Sequence, residues 1–296
     1  MPKQINLQQF RYPKKQELKL AATPTSIDPL YSSKGDYKDK LKDLCDEIHE
    51  LQEKLYAENR QALLVVFQAT DTAGKDGTID HVFNGIDPHG LEVHAFKKPS
   101  DAELNHDFLW RTYVALPTRG KIGVHNRSHY EEVLICRVHP EIITQVQRLP
   151  SQLVQDMDAL FAQRYDSIRH FEKHLVNNGT RVLKFFLHLS KGEQRKRLLA
   201  RIDDPEKHWK YEAGDLKERG FWNQYQKAYE EAIRQTATDE APWFVIPADD
   251  KRNMRLLVAQ ILRSELSSMN PDWPVVRSDQ LEALAEGRQL LMQEEE

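Results

Sequence analysis

The run ALLVVFQA (62–69) carries no charge and passes directly into TDTAGKDGT (70–78). It is too short for a buried helix and rich in β-formers. It lacks the polar alternation of a strand with one wet face, so it reads as a strand covered on both sides. The turn that follows holds Gly74-Lys75, and a helical pattern begins there. Strand, glycine turn, helix is the context in which backbone N–H groups can gather around a phosphate.

Four further strand candidates follow at 91–96, 121–126, 182–189 and 243–248, with helical patterns at 75–84, 101–114, 128–137, 152–177, 191–203, 221–236 and 252–268. An amphipathic stripe at Tyr37, Leu41, Leu44, Ile48, Leu51 and Leu55 marks one more helix ahead of them. Buried strands alternating with helices predict an α/β fold, a five-stranded parallel sheet with helices on both faces. The expected layout is an extended arm at 1–35, one domain at 36–270 and a polar tail at 271–296 with one short helix.

Net charge is −4, so the chain as a whole does not attract polyanions and any such site must be local. Cys45 and Cys136 fit no metal-ligand spacing, which suits a reducing interior. The start MPKQINLQQF lacks the apolar core of a signal peptide, and no segment approaches the roughly 18 apolar residues of a membrane span. A cytoplasmic protein without a membrane partner is the expectation.

Within the turn, Ala69 through Lys75 follows the spacing of a phosphate loop, but the hydroxyl that usually ends it is replaced by Asp76, and Asp71 lies inside it. Two carboxylates beside a polyanion would repel it unless a divalent cation such as Mg²⁺, which takes carboxylate and phosphate oxygens together, joins them. Asp76 can equally serve the dipole of the following helix. Ala73, Gly74, Lys75, Asp76 and Gly77 are the candidate phosphate-binding residues, and Lys75 can travel with a transferring phosphoryl group.

GVHNRSHYEE (123–132) closes the third strand candidate, at the sheet end where such sites gather. There Arg127 offers a fork for phosphate, and Glu131 or Glu132 can complete a metal site with Asp71. His129 reads as a packing residue. In KGEQRKRLLAR (191–201), Arg195, Arg197 and Arg201 form a basic ladder suited to a lid over developing phosphoryl charge. Lys97, Lys98 and Arg111 follow strand candidates and can hold an acceptor's phosphate.

Together QATDTAGKDGT (68–78), FKKPSDAELNHDFLWR (96–111), NRSHYEEVLICRV (126–138), KFFLHLSKGEQRKRL (184–198), DDPEKHWKY (203–211) and APWFVIPADDK (241–251) resemble the family-2 polyphosphate kinases, particularly the class III members. The likeness spans about residues 36–270. It implies a P-loop kinase fold of the thymidylate-kinase type with a helical lid near 191–220. The implied reaction is reversible transfer of the terminal phosphoryl group of inorganic polyphosphate to AMP or ADP, giving ADP or ATP, with Mg²⁺, which Mn²⁺ can replace. On the matching positions Asp71, Lys75 and Arg127 are catalytic, and Asp71 with Glu131 or Glu132 holds metal. Arg137, Arg197 and Arg201 line the polyphosphate channel, and Lys97, Lys98, Arg111, Asn126 and Arg127 hold the acceptor nucleotide. Asn126 stands where many relatives outside class III carry Asp, and Glu132 where class III relatives usually carry Asp. Homo-oligomers, dimers or tetramers, are implied, and no nucleic-acid partner. The alternatives are an ATP-dependent nucleoside monophosphate kinase of the same fold and a nucleotide-dependent nucleic-acid-binding protein.

Overall fold

The structure, a computed structural model, describes residues 5–12 and 18–294. Its strands are β1 (Arg11–Tyr12), β2 (Ala62–Ala69), β3 (Leu91–Ala95), β4 (Ile122–Asn126), β5 (Thr180–His188) and β6 (Trp243–Pro247). They form one sheet in the order β1-β6-β5-β2-β4-β3. The five strands predicted from the sequence are all present and mutually parallel. The sixth, β1, comes from the arm and pairs antiparallel to β6 through Arg11 with Phe244 and Tyr12 with Trp243. It covers what would otherwise be an open sheet edge.

The helices are α1 (Lys34–Glu58), α2 (Lys75–Val82), α3 (Trp110–Val114), α4 (Ile135–Val138), α5 (Glu141–Gln145), α6 (Met157–Asn177), α7 (Lys191–Asp203), α8 (Ala213–Gly220), α9 (Trp222–Thr236), α10 (Lys251–Ser268) and α11 (Ser278–Gln293). Every residue of β2 is buried, because alternate side chains enter different cores. Leu63, Val65 and Phe67 pack with α1, α2 and α10, while Leu64 and Val66 pack with α6 and α9. The period-2 alternation thus runs between two apolar layers, which is why it left no polar face in the sequence.

Three predicted helices are broken. In 152–177 a 3-10 turn at Ser151–Val154 precedes α6, which starts only at Met157 after the extended Asp156 cap. The segment 101–114 holds a 3-10 turn at Glu103–Asn105, then α3, with His106 extended between them. The Asp107 carboxylate accepts from Leu109 N at 2.9 Å, so a local side-chain bond competes with the helix ladder there. In 128–137, a 3-10 turn at His129–Val133 gives way to α4 at Leu134, whose φ and ψ of −106° and −80° interrupt the helix.

The arm continues across the carboxyl ends of β5 and β6. His188 Nε2 lies 3.0 Å from the Leu20 carbonyl, and Thr25 Oγ1 donates to Asp249 Oδ2 at 2.8 Å. The same Asp249 accepts from Ser190 N through Oδ1 at 2.8 Å, at the start of α7. No helix among the described residues is long and apolar enough to cross a membrane.

Candidate active site

Strands β2 and β4 are neighbours in register, Phe67 opposite Asn126, so the turns that follow them emerge side by side. Arg127 N donates to the Phe67 carbonyl at 3.0 Å, stitching the second turn to the first. Both turns hold a residue in the left-handed region, Thr72 at φ 65° and Arg127 at φ 62°. Non-glycine residues adopt that region at a cost, and such strain gathers at functional sites.

Gly74, at φ 100°, precedes Lys75 and lets the chain turn into α2. Lys75 is buried and donates from Nζ to the Ala69 carbonyl at 3.1 Å. Burial, and then the nearby Arg127 charge, lower its pKa, against the pull of Asp71, Glu131 and Asp76. Arg127 donates from Nη2 to Asp71 Oδ1 at 2.9 Å and from Nη1 to Glu131 Oε2 at 3.4 Å. The Glu131 carboxylate, ahead of Asp71, holds the guanidinium pKa above its ordinary value. Gln68, with its amide nitrogen turned toward Glu131 Oε1 at 3.0 Å, braces the glutamate from behind.

The two glutamates separate. Glu131 faces Asp71 across Arg127, whereas Glu132 is buried on the opposite side of the 3-10 turn. There Glu132 accepts from Gln147 and lies 3.5 Å from Arg164, while Arg164 Nη1 donates to its carbonyl at 2.7 Å. Of the two glutamates expected as metal candidates, Glu131 is the one on the Asp71 side, while the Glu132 carboxylate is taken up in a buried network with Gln147 and Arg164. Successive residues of a 3-10 turn point about 120° apart, so one position decides the side.

Asp71 and Glu131 fit a hard divalent cation, because both are oxygen donors and Arg127 already holds positive charge between them. Among the described residues no group of three His, Cys, Asp or Glu side chains converges to cage a metal. An Mg²⁺ here would draw its remaining ligands from water and phosphate.

The other expected residues lie as follows. Asp76, exposed, accepts from Asn126 and ties α2 to the end of β4. Arg197 is buried and fully engaged. It donates to the carbonyls of Thr72 (3.2 Å), Ala73 (2.9 Å), Ala248 (2.8 Å) and Asp249 (3.0 Å), and to Glu193 (2.9 Å). It braces the glycine turn from behind and is not a free channel arginine. Arg201 donates to Asp215 (2.8 Å) and the Lys210 carbonyl (2.9 Å), tying α7 to α8. Arg137 lies over the Phe161 ring and donates to Asp158 at 2.9 Å, away from the cleft lining. Arg111 is buried against Phe96 and donates to the Lys97 carbonyl at 2.8 Å, while the side chains of Lys97 and Lys98 are exposed.

A cleft between these turns and the flap α7–α8 is lined by Asp71, Arg127, Glu131, Arg219, Trp222 and Tyr225, among others. Gln194 joins the flap to the turn. Its Nε2 donates to the Asp71 carbonyl at 3.2 Å and its Oε1 accepts from Arg219 at 2.7 Å. The sequence reading missed Arg219, Trp222, Tyr225 and Tyr229. The spacing of Trp222, Tyr225 and Tyr229 on α9 was visible, but an aromatic stripe on a helix is also what a core requires.

The family model of polyphosphate kinase 2 matches residues 31–274. An ADP-polyphosphate phosphotransferase of Rhodopseudomonas palustris is 48% identical over 292 residues, covering 97% of this chain and 99% of the relative. An AMP/ADP-polyphosphate phosphotransferase of Meiothermus ruber is 46% identical over 227 residues, 77% of this chain and 80% of that one. The crystal structure of polyphosphate kinase 2 from Arthrobacter aurescens TC1 superposes with a TM-score of 0.85 at 40% identity, covering 96% of this chain and 95% of that one.

Proposed function

Since this chain belongs to the polyphosphate kinase 2 family, we propose that it transfers the terminal phosphoryl group of inorganic polyphosphate to AMP or ADP, reversibly and with Mg²⁺. The observation that carries this reading is the Arg127 guanidinium held between Asp71 and Glu131, beside the buried Lys75.

Transfer between phosphates needs alignment and charge neutralisation more than a protein nucleophile. Lys75, fixed against the Ala69 carbonyl, supplies a positive charge that moves little. Arg127 presents two donors on a planar fork to the transferring group's oxygens. Asp71 and Glu131 hold that fork in the free protein and are the carboxylates available to Mg²⁺ when phosphate takes over Arg127. The bound cation supplies neutralisation of the phosphate chain's charge. Gln194 and Arg219 close the flap over the turn and exclude water from the transferred group.

The assay mixes the protein with ADP, long-chain polyphosphate and Mg²⁺, with no ATP present. New ATP is the expected product, and AMP in place of ADP should yield ADP first. A protein that ignores polyphosphate but phosphorylates AMP from ATP is instead a nucleoside monophosphate kinase, and the proposal falls.

A further inference from the structure

Strand β5 is apolar through its middle except at Lys184, whose side chain is fully buried. A buried ammonium is costly unless its donors are met. Here Lys184 Nζ donates to the Glu172 carboxylate of α6, to the Tyr130 hydroxyl at 3.0 Å and to the Thr236 carbonyl at 3.0 Å. Tyr130 donates in turn to Glu172 Oε1 at 2.7 Å, and its ring meets Trp243 edge-on with centroids 4.7 Å apart. Lys184, Glu172 and Tyr130 thus close a cycle of hydrogen bonds inside the core.

Such a network adds little to stability, since apolar side chains of similar volume often serve as well or better. What it specifies is geometry. Lys184 and Glu172 sit on β5 and α6, elements already fixed by packing, whereas Tyr130 lies in the 3-10 turn His129–Val133. That turn follows left-handed Arg127 and extended Ser128, and it breaks at Leu134. So short a 3-10 segment has a weak ladder of its own, and side-chain anchors set its rotation. Tyr130 is tied to Glu172 and Lys184, and Glu132 is tied to Arg164 and Gln147. Glu131, between these two, takes the remaining third of the circle, toward Asp71 across Arg127.

We infer that Tyr130, gripped by Glu172 and Lys184, is a positioning residue for phosphoryl transfer, setting the rotation of the turn that aims Glu131 at Arg127 and Asp71. The inference rests on the transferase reading above and deepens it. None of the three lines the cleft, so their effect on the reaction passes through Glu131.

Tyr130→Phe deletes one hydroxyl and keeps the ring. With ADP and long-chain polyphosphate it should lower kcat by about tenfold, the scale of a small misplacement at a reacting centre, while KM for ADP stays within about twofold. The Mg²⁺ needed for half-maximal rate should rise. A double-mutant cycle with Glu131→Ala separates positioning from general loosening of the fold. If Tyr130 acts through Glu131, adding Tyr130→Phe to Glu131→Ala costs less than about a further twofold in kcat. Losses that multiply overturn the proposal, as does a kcat for Tyr130→Phe within twofold of wild type. The pair Lys184→Met with Glu172→Met removes the grip and leaves Tyr130 in place. It should melt near wild type and show the same raised Mg²⁺ requirement, and an unchanged requirement counts against the inference. One readout needs no turnover: Mg²⁺ with tripolyphosphate should raise the Tm less in Tyr130→Phe than in wild type. An equal rise also overturns it. Failure of the functional reading looks different, because wild type itself would then make no ATP from polyphosphate.

Discussion

Arg127 and Asp71, 56 positions apart in the chain, meet at 2.9 Å where β4 and β2 end side by side. The contact joins the site's best phosphate fork to the carboxylate inside its phosphate loop. It explains how an acidic loop stays folded before substrate arrives, since the guanidinium holds the place between the carboxylates that a cation and a phosphate later share.

Replacing Arg127 by Ala should lower kcat by about 10²–10³-fold, the range for losing one positioned transition-state donor. Steady-state kinetics with ADP and polyphosphate reads this directly. A loss smaller than tenfold removes Arg127 from the reacting centre.

Glu131 and Glu132 should part company when each becomes Ala. The Glu131 variant should require more Mg²⁺ for half-maximal rate while melting near wild type. The Glu132 variant leaves Arg164 and Gln147 without their buried acceptor, at a cost of about 3 kcal/mol to folding. Chemical denaturation and an Mg²⁺ titration on both proteins distinguish the two. The reverse pattern, with the Mg²⁺ requirement moving at Glu132, refutes the assignment.

Arg197 gives the same kind of contrast. Its Ala variant strips donors from four carbonyls of the loop and the β6 end, so stability should drop by about 3 kcal/mol along with activity. An unchanged unfolding midpoint with lost turnover would make Arg197 a direct phosphate contact after all.

Acid should destabilise the protein through His125. Its ring is fully buried and lies 2.9 Å from the Ala115 carbonyl, and burial pulls its pKa down to about 4. The unfolded chain therefore binds a proton, near an ordinary pKa of about 6.5, that the native state refuses. This contribution is complete above pH 6.5 and lost progressively as pH falls to about 4, amounting to roughly 3 kcal/mol. Urea unfolding across that window should flatten in His125→Gln relative to wild type. Equal pH slopes in both proteins would assign the acid sensitivity elsewhere.

Local chemistry made much of this protein readable in its chain. An uncharged β-rich run has one stable home, a strand between two apolar layers, and the glycine after it has one ready use. Asp71, Lys75 and Arg127 therefore fell at strand ends by pattern alone. Periodicity could not say whether Glu131 or Glu132 turns to the cleft, because a 3-10 turn separates adjacent residues by about a third of a circle. Nor could a basic run reveal that Arg197 is used up by backbone carbonyls while Arg255, outside that run, comes to stand beside Gly77. Those outcomes depend on which distant segments the sheet order and helix packing bring within a few ångströms, and on who reaches each hydrogen-bond partner first. That is a property of the assembled molecule, decided only when residues far apart in sequence compete for the same space.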